Sequence, residues 1–543
     1  MKKTSFIILI SAVIFIAAGT DDKNPYLISK GSGKLPVLMV TDQKLFNLNN
    51  ISTWYRNNGS YNRSPISGNS GFEWPKGSNK FARYASGLWL GGKLNGQIRV
   101  ALADYDYEFL SGYTDNNGVP QGKDDPLYRI YQITAGINDQ DRQLWPNVLL
   151  GNSNQGAPVY FDPVSNSWKP LDYGGMTMFY RYTDSYPEAH GNVRGSTLPL
   201  KADIIHLNYG FASPAELSDV IFTELRIINR SGVIWDSTYI CLWSDDDIGS
   251  NFRDDLVGCD SSLQLGYTYK ANPSDPQYQL PPAVGFLLLK GAEIYTGNSG
   301  DTVYWCEAKN KRFKTGYRNK RLSSFITFNN ADPTFGDPVS FIETYNYMKG
   351  LRKTGAPIFH PNGYATKFMF PGNPETFQGW LDPTPNDKRF LMSIGPLKIN
   401  PNDTQRIVFA QLIAQGVNHR NSVTKLKQLA QQVIDHYNNC FAGVPISVKG
   451  TDNRIPVAFR LHQNYPNPFN PETEIKFEMP VSGYIKLSIY DVSGREVSVL
   501  AEGIHNAGVH SYKWNAENYS SGIYFCRLEA DGLDNTMKMV LIR

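Results

Sequence analysis

Short runs of period-two alternation between apolar and polar residues recur along the whole chain, and they constrain its fold more than any other feature. Before residue 300 they include Gln97–Ala103, Lys201–Leu207, Val220–Asn229 and Ser237–Ser244. Near the C-terminus they are Glu474–Met479, Tyr484–Tyr490, Val497–Leu500, Val509–Trp514, Gly522–Leu528 and Met537–Ile542. An extended backbone sends successive side chains to opposite faces, so such runs read as half-buried strands. Aromatics at 13%, with 47 Gly and 33 Pro, suit short strands joined by many turns. The expected fold class is mainly β: a β-sandwich-like body with long loops and one late helix, followed by a small immunoglobulin-like β-sandwich. The segment Asn229-Arg-Ser-Gly232 is the expected turn of an antiparallel meander, and the helix is expected over 422–438. There Val423, Leu426, Leu429, Val433 and Tyr437 recur at helical spacing, with Asn421 as candidate cap.

Residues 1–19 combine Lys2 and Lys3, an apolar run from Phe6 to Ala18 and small residues before Thr20, the pattern of a secretory signal peptide. A polar leader (20–49), a β-rich body (50–300), a loop-rich continuation (301–440) that ends in a buried strand at Gln405–Ala414 and the helix, a linker (441–455) and a C-terminal module (456–543) follow. No later stretch reads as a transmembrane helix. With 53 Lys/Arg against 50 Asp/Glu there is no single-sign field, so nucleic acid is not an expected partner. The five cysteines form no C-x-x-C pair. Cys241 and Cys259 flank an acidic loop and are a candidate disulfide, with buried free thiols as the alternative.

The module at 456–543 carries Gln463-Asn-Tyr-Pro-Asn-Pro-Phe-Asn-Pro471, Leu487-Ser-Ile-Tyr-Asp491 with Gly494, Gly508 and Trp514, Ser521-Gly-Ile-Tyr-Phe525, and Lys538-Met-Val-Leu-Ile542. It closely resembles the type A C-terminal sorting domain of cargo proteins exported by the type IX (Por) secretion system. The resemblance implies passage through the periplasm and recognition by outer-membrane secretion machinery. It also implies a secreted or cell-surface destination and, in many cargos, removal of the module. Its sorting-motif residues here are Asn464, Pro466, Asn467, Pro468, Phe469, Asn470, Pro471, Gly494, Gly522 and Tyr524. The body is similar, in Trp54-Tyr-Arg-Asn-Asn-Gly59 and Trp243-Ser-Asp-Asp-Asp-Ile-Gly249, to secreted proteins of Bacteroidetes-like bacteria that carry no assigned activity.

Within the body the strongest constellation is acidic. Asp245, Asp247, Asp254, Asp255 and Asp260, in a glycine-containing segment, are a candidate Ca²⁺ site, because hard cations want clustered oxygens. The spacing departs from the EF-hand, since Gly249 stands where an acidic ligand belongs and no Glu closes the loop. The bland reading is a solvated turn in which the carboxylates cap backbone N–H groups. Trp54, Trp74, Trp89 and Trp243 could stack on sugar rings or fill the core. His-Glu-x-x-His, Gly-x-Ser-x-Gly and phosphate-loop motifs are missing. The expected function is a secreted binding, adhesive or structural protein with glycans or surface polysaccharide as candidate ligands. The alternative is a secreted polysaccharide hydrolase using two of the carboxylates.

Overall fold

The computed structural model describes residues 41–329, 332–446, 459–479, 483–505, 508–530 and 533–542. The expected signal peptide, leader residues 20–40 and residues 447–455 of the expected linker lie outside these.

Two large antiparallel sheets form the body. The first follows the order Gln43–Phe46, Thr53–Arg56, Ser60–Tyr61, Ala85–Leu94, Trp235–Asp245, Arg389–Ile399, Ser324–Phe328, with Gln97–Leu102 beside Ala85–Leu94. The second runs Tyr131–Thr134, Met176–Thr183, Ala202–Gly210, Val220–Asn229, Thr404–Ala414, Ala283–Lys290, Leu265–Lys270, Asp255–Asp260, with Leu110–Ser111 beside Met176–Thr183. The expected loop-rich stretch thus supplies the inner strand Arg389–Ile399 of the first sheet, the strand expected at 405–414 is an inner strand of the second, and the end of the expected leader, Gln43–Phe46, is already an edge strand.

The second sheet is covered on both faces. Ile407 and Phe409 enter the core shared with the first sheet, while Val408 and Ala410 face the other way into a second core. That second core is roofed by the Asn421–Asn438 helix, which buries Val423, Leu426, Leu429, Val433 and Tyr437. Each fully buried side chain of this kind contributes about 1.5–3 kcal/mol. The helix lies where its periodicity placed it, but its cap does not. Asn418 accepts from the N–H groups of Arg420 (3.0 Å) and Asn421 (2.8 Å), whereas the Asn421 side chain accepts from Val417 N–H (3.0 Å).

One further expectation needs correction, and two open alternatives are decided. The strands Ala202–Gly210 and Val220–Asn229 pair, but the chain then crosses to the first sheet instead of continuing a meander. Asn229 directs the crossover, donating to the carbonyls of Val233 (2.8 Å) and Ile399 (3.0 Å), while Gly232 takes φ +76°. Cys241 and Cys259 are buried free thiols, each on a different sheet. The bridge is Cys306–Cys440, with Cα atoms 5.2 Å apart, joining the Thr302–Glu307 strand to the residues just after the helix. Finally, Trp74, Trp89 and Trp243 are buried and Trp54 is half-buried. Trp89 and Trp243 stack on each other at 6.1 Å, so they serve the core and offer no platform to a sugar.

The C-terminal module has a three-stranded sheet (Arg460–Leu461, Glu472–Met479, Gly508–Asn515) and a four-stranded one (Glu496–His505, Gly483–Asp491, Gly522–Ala530, Leu533–Leu541). Both contribute to one core through Ile475, Phe477, Leu487, Ile489, Cys526 and Met539. In Glu472–Met479 buried residues alternate strictly with exposed or half-buried ones, as the sequence pattern requires of a sheet with one wet face.

Candidate functional site

The acidic segment begins at the end of the Trp235–Asp245 strand, in the interior of the first sheet, and the strand's alternation sorts its carboxylates. Asp246 turns inward with Ser244, whose hydroxyl donates to it at 2.7 Å. It forms an ion pair with Arg83 in which both side chains are fully buried. Arg83 also donates to Gln411 of the second sheet at 3.0 Å and lies 4.1 Å over the Phe286 ring. This pair is a rivet between the sheets, since two charges removed from water are tolerated only when each neutralises the other.

Asp245 and Asp247 point elsewhere and meet Asp387, from the residues leading into the Arg389–Ile399 strand. One oxygen from each of the three lies within 4.8 Å of the others. Asp245 is buried, whereas Asp247 and Asp387 are half-buried. Arg389 is the cation beside them, 3.4 Å from Asp245 and 3.2 Å from Asp387. The Tyr105 hydroxyl donates to Asp245 and accepts from Arg389 at 2.9 Å. One guanidinium thus faces three carboxylates, and the protonation equilibria register the imbalance. Burial, with the Asp387 charge adding to it and Arg389 opposing, pushes the Asp247 carboxyl up to about 7. Burial likewise holds Asp245 well above the usual carboxylate range despite Arg389.

The remaining sequence candidates are not in this group. Burial raises Asp255 while Lys270, 3.3 Å away, opposes it, and its other oxygen accepts from Ile248 N–H. Asp254 accepts from Asn272 N–H at 3.1 Å. Asp260, at the far end of the Asp255–Asp260 strand, accepts from the Ser262 hydroxyl and the N–H of Leu263 and pairs with Lys427 at 3.1 Å. It is the turn-capping carboxylate of the bland reading. Gly249 has φ +73°, and a Cβ there would stand 2.2 Å from Asp275, which instead accepts from Ser250 N–H. The turn therefore has no room for an acid at that position.

A second buried acidic group went unmarked as a site. Glu108 and Asp184 flank His190, 3.9 Å and 3.6 Å from its ring nitrogens. Burial lifts Glu108 to about 8, against hydrogen bonds from Ser196 and Leu102 N–H, and lifts Asp104 to about 6, against the Arg194 charge. The run from Asp104 to Glu108 is a tight bend closed by an Ala103–Tyr107 bridge, so its acids do not line one face of an extended strand.

In the C-terminal module the sorting motif clamps the Leu533–Leu541 strand. Phe469 N–H donates to Val540, Ile542 N–H donates to Phe469, both at 3.0 Å, and Asn467 accepts from Val540 N–H at 2.8 Å. The Phe469 ring is buried 5.4 Å from Trp514, which packs 5.2 Å from Tyr524. Asn464 is buried and donates to Thr473 (2.9 Å) and to the carbonyl of Pro466 (3.1 Å). The bonds before Pro466 and Pro468 are cis, Asn470 is exposed, and Pro471 accepts from Ala516 N–H at 2.9 Å. Gly494 turns the chain at φ +79°, and Gly522 opens the strand paired to Leu541.

Residues 463–543 match the secretion system C-terminal sorting domain family, Por_Secre_tail. The chain thus carries a type IX secretion sorting domain, which directs it to the cell surface or the extracellular space. Among the described residues no helix is long and apolar enough to cross a membrane. No curated protein matches the chain. Among solved structures, a polysaccharide lyase aligns at 8% identity and TM-score 0.18, over 62% of this chain and 34% of that one. Dimeric latent PorU from Porphyromonas gingivalis aligns at 9% identity and TM-score 0.13, over 84% and 31%. The chain spans about a third of the length of each. Likenesses at these scores carry no argument about the body.

Proposed function

We propose that this type IX secretion cargo works outside the cell as a binding or structural component whose body is stiffened by a calcium ion at Asp245, Asp247 and Asp387. The observation that carries the reading is the meeting of three carboxylate oxygens within 4.8 Å of one another. Oxygens bound to one Ca²⁺ at about 2.3–2.6 Å can be no farther apart than about 5 Å. Arg389 offsets part of the charge the carboxylates would carry, and a bound cation would displace the protons that burial favours on Asp245 and Asp247. An all-oxygen donor set suits a hard cation, and extracellular calcium fills weak sites.

Thermal melting of the protein in millimolar Ca²⁺ and in chelator tests the reading. Saturation at a hundredfold excess over Kd adds about 2.7 kcal/mol, so the Tm rises with Ca²⁺ in the wild type and stays put in Asp387→Asn. Equal wild-type melting in both conditions refutes the ion. The half-buried Asp247, with its raised pKa, is also what a glycosidase acid requires. Turnover of a polysaccharide that disappears in Asp247→Asn would replace the binding reading with the hydrolase.

A further inference from the structure

We infer that the cleft between the Val159–Asp162/Ser167–Pro170 hairpin and the Gln140–Gln143 helix binds a short, uncharged oligosaccharide. The inference rests on the binding reading above and gives it a place and a ligand class. The cleft measures about 470 Å³ and is lined by Ile137, Asn138, Gln143, Leu150, Tyr160 and Trp168, together with Arg142 and Lys169. That volume lies within the roughly 300–1,000 Å³ typical of small-ligand sites.

Its rings are available where the core tryptophans are not. Tyr160 is 42% exposed and Trp168 40%. Trp168 is braced by the Phe161 ring at 5.5 Å, edge to face, so it needs little ordering on binding. Of the exposed large hydrophobics among the described residues, Ile137, Tyr160 and Trp168 line this cleft together.

The polar groups say what kind. Among the described residues no hydrogen bond engages the side-chain amides of Asn138 and Gln143. Each offers donors and an acceptor together, the pairing that sugar hydroxyls need. The cations are already spoken for: Arg142 is paired twice with Asp172, at 2.6 and 3.1 Å, and held by the carbonyls of Ile137 and Thr134. Lys169 pairs with Asp162. A cleft with apolar rings, free amides and compensated charge fits the C–H face and hydroxyl rim of a neutral pyranose better than an acidic glycan or a charged peptide.

The test is binding of the full chain to an array of neutral glucans, mannans, galactans and xylans, followed by fluorescence titration of the best ligand. Trp168→Ala is expected to weaken that ligand about tenfold or more, and Asn138→Ala or Gln143→Ala several-fold. All three positions are exposed, so the variants should fold, and their Tm checks this. Unchanged affinity in Trp168→Ala overturns the cleft while leaving the protein a glycan binder. Binding of charged glycans only, or of none, also overturns it, and the calcium melting response then decides separately whether the body's ion site survives.

Discussion

The body and the sorting module are both built of paired antiparallel sheets, yet among the described residues only the body buries ion pairs. In the body, Arg83–Asp246 is fully buried and Arg389, Lys270 and their carboxylates are nearly so. The described ion pairs of the module, such as Arg527–Asp534 and Lys486–Glu496, lie at the surface. A module read by machinery shared among many cargos needs only a fold and a displayed motif. A body with its own task keeps polar groups where they are costly, and such costs accumulate at functional sites.

The comparison can be broken at its coarsest level by deleting residues 456–543. Fractionation should then find the protein in the periplasm and none at the surface; normal surface display would refute the division of labour. Next in size is the contrast in charge burial. Arg83→Leu leaves Asp246 buried and unpaired and should cost about 3–5 kcal/mol in urea unfolding, whereas Arg527→Ala in the module should leave the urea midpoint nearly unchanged. Equal costs would erase the distinction.

The same contrast can be sharpened by a pH dependence. The folded chain keeps a proton on Glu108 up to about 8, while the unfolded chain releases it near 4.5. Folding is therefore best supported below the unfolded value, and the body loses stability as pH rises from about 4.5 toward about 8. Glu108→Gln should flatten that part of the melting profile, and a slope unchanged by the substitution would assign it to other groups.

The two regions also differ in how far they could be read in advance. Strands with one wet face announce themselves by alternation, and the module's strands were legible for that reason. Val220–Asn229 and Thr404–Ala414 are recognisable as strands, but burial on both faces hides their partners, and so the pattern at Asn229–Gly232 predicts a meander turn where the chain crosses between sheets. The helix was legible through five apolar positions, while its cap went to Asn418 because an amide just ahead of the first turn reaches the free N–H groups. At the acidic site, Asp245 and Asp247 were visible, but Asp387 comes from a proline-rich stretch far along the chain and only strand pairing brings it there. Nothing local distinguished Asp246, the structural rivet, from its neighbours. Tryptophan content alone leaves open which rings face inward, and packing decides it: Trp74, Trp89 and Trp243 fill the core, as one of the two readings has it, while Trp168 stays out.

The clamp in the module has a consequence for quality control. Phe469, at the heart of the sorting motif, is bonded to Val540 and Ile542. A polypeptide stopped anywhere ahead of Val540 would leave that motif without the strand that shapes it. Truncated products of a stalled or frameshifted ribosome would reach the periplasm unaddressed, so export itself discards the unfinished copies.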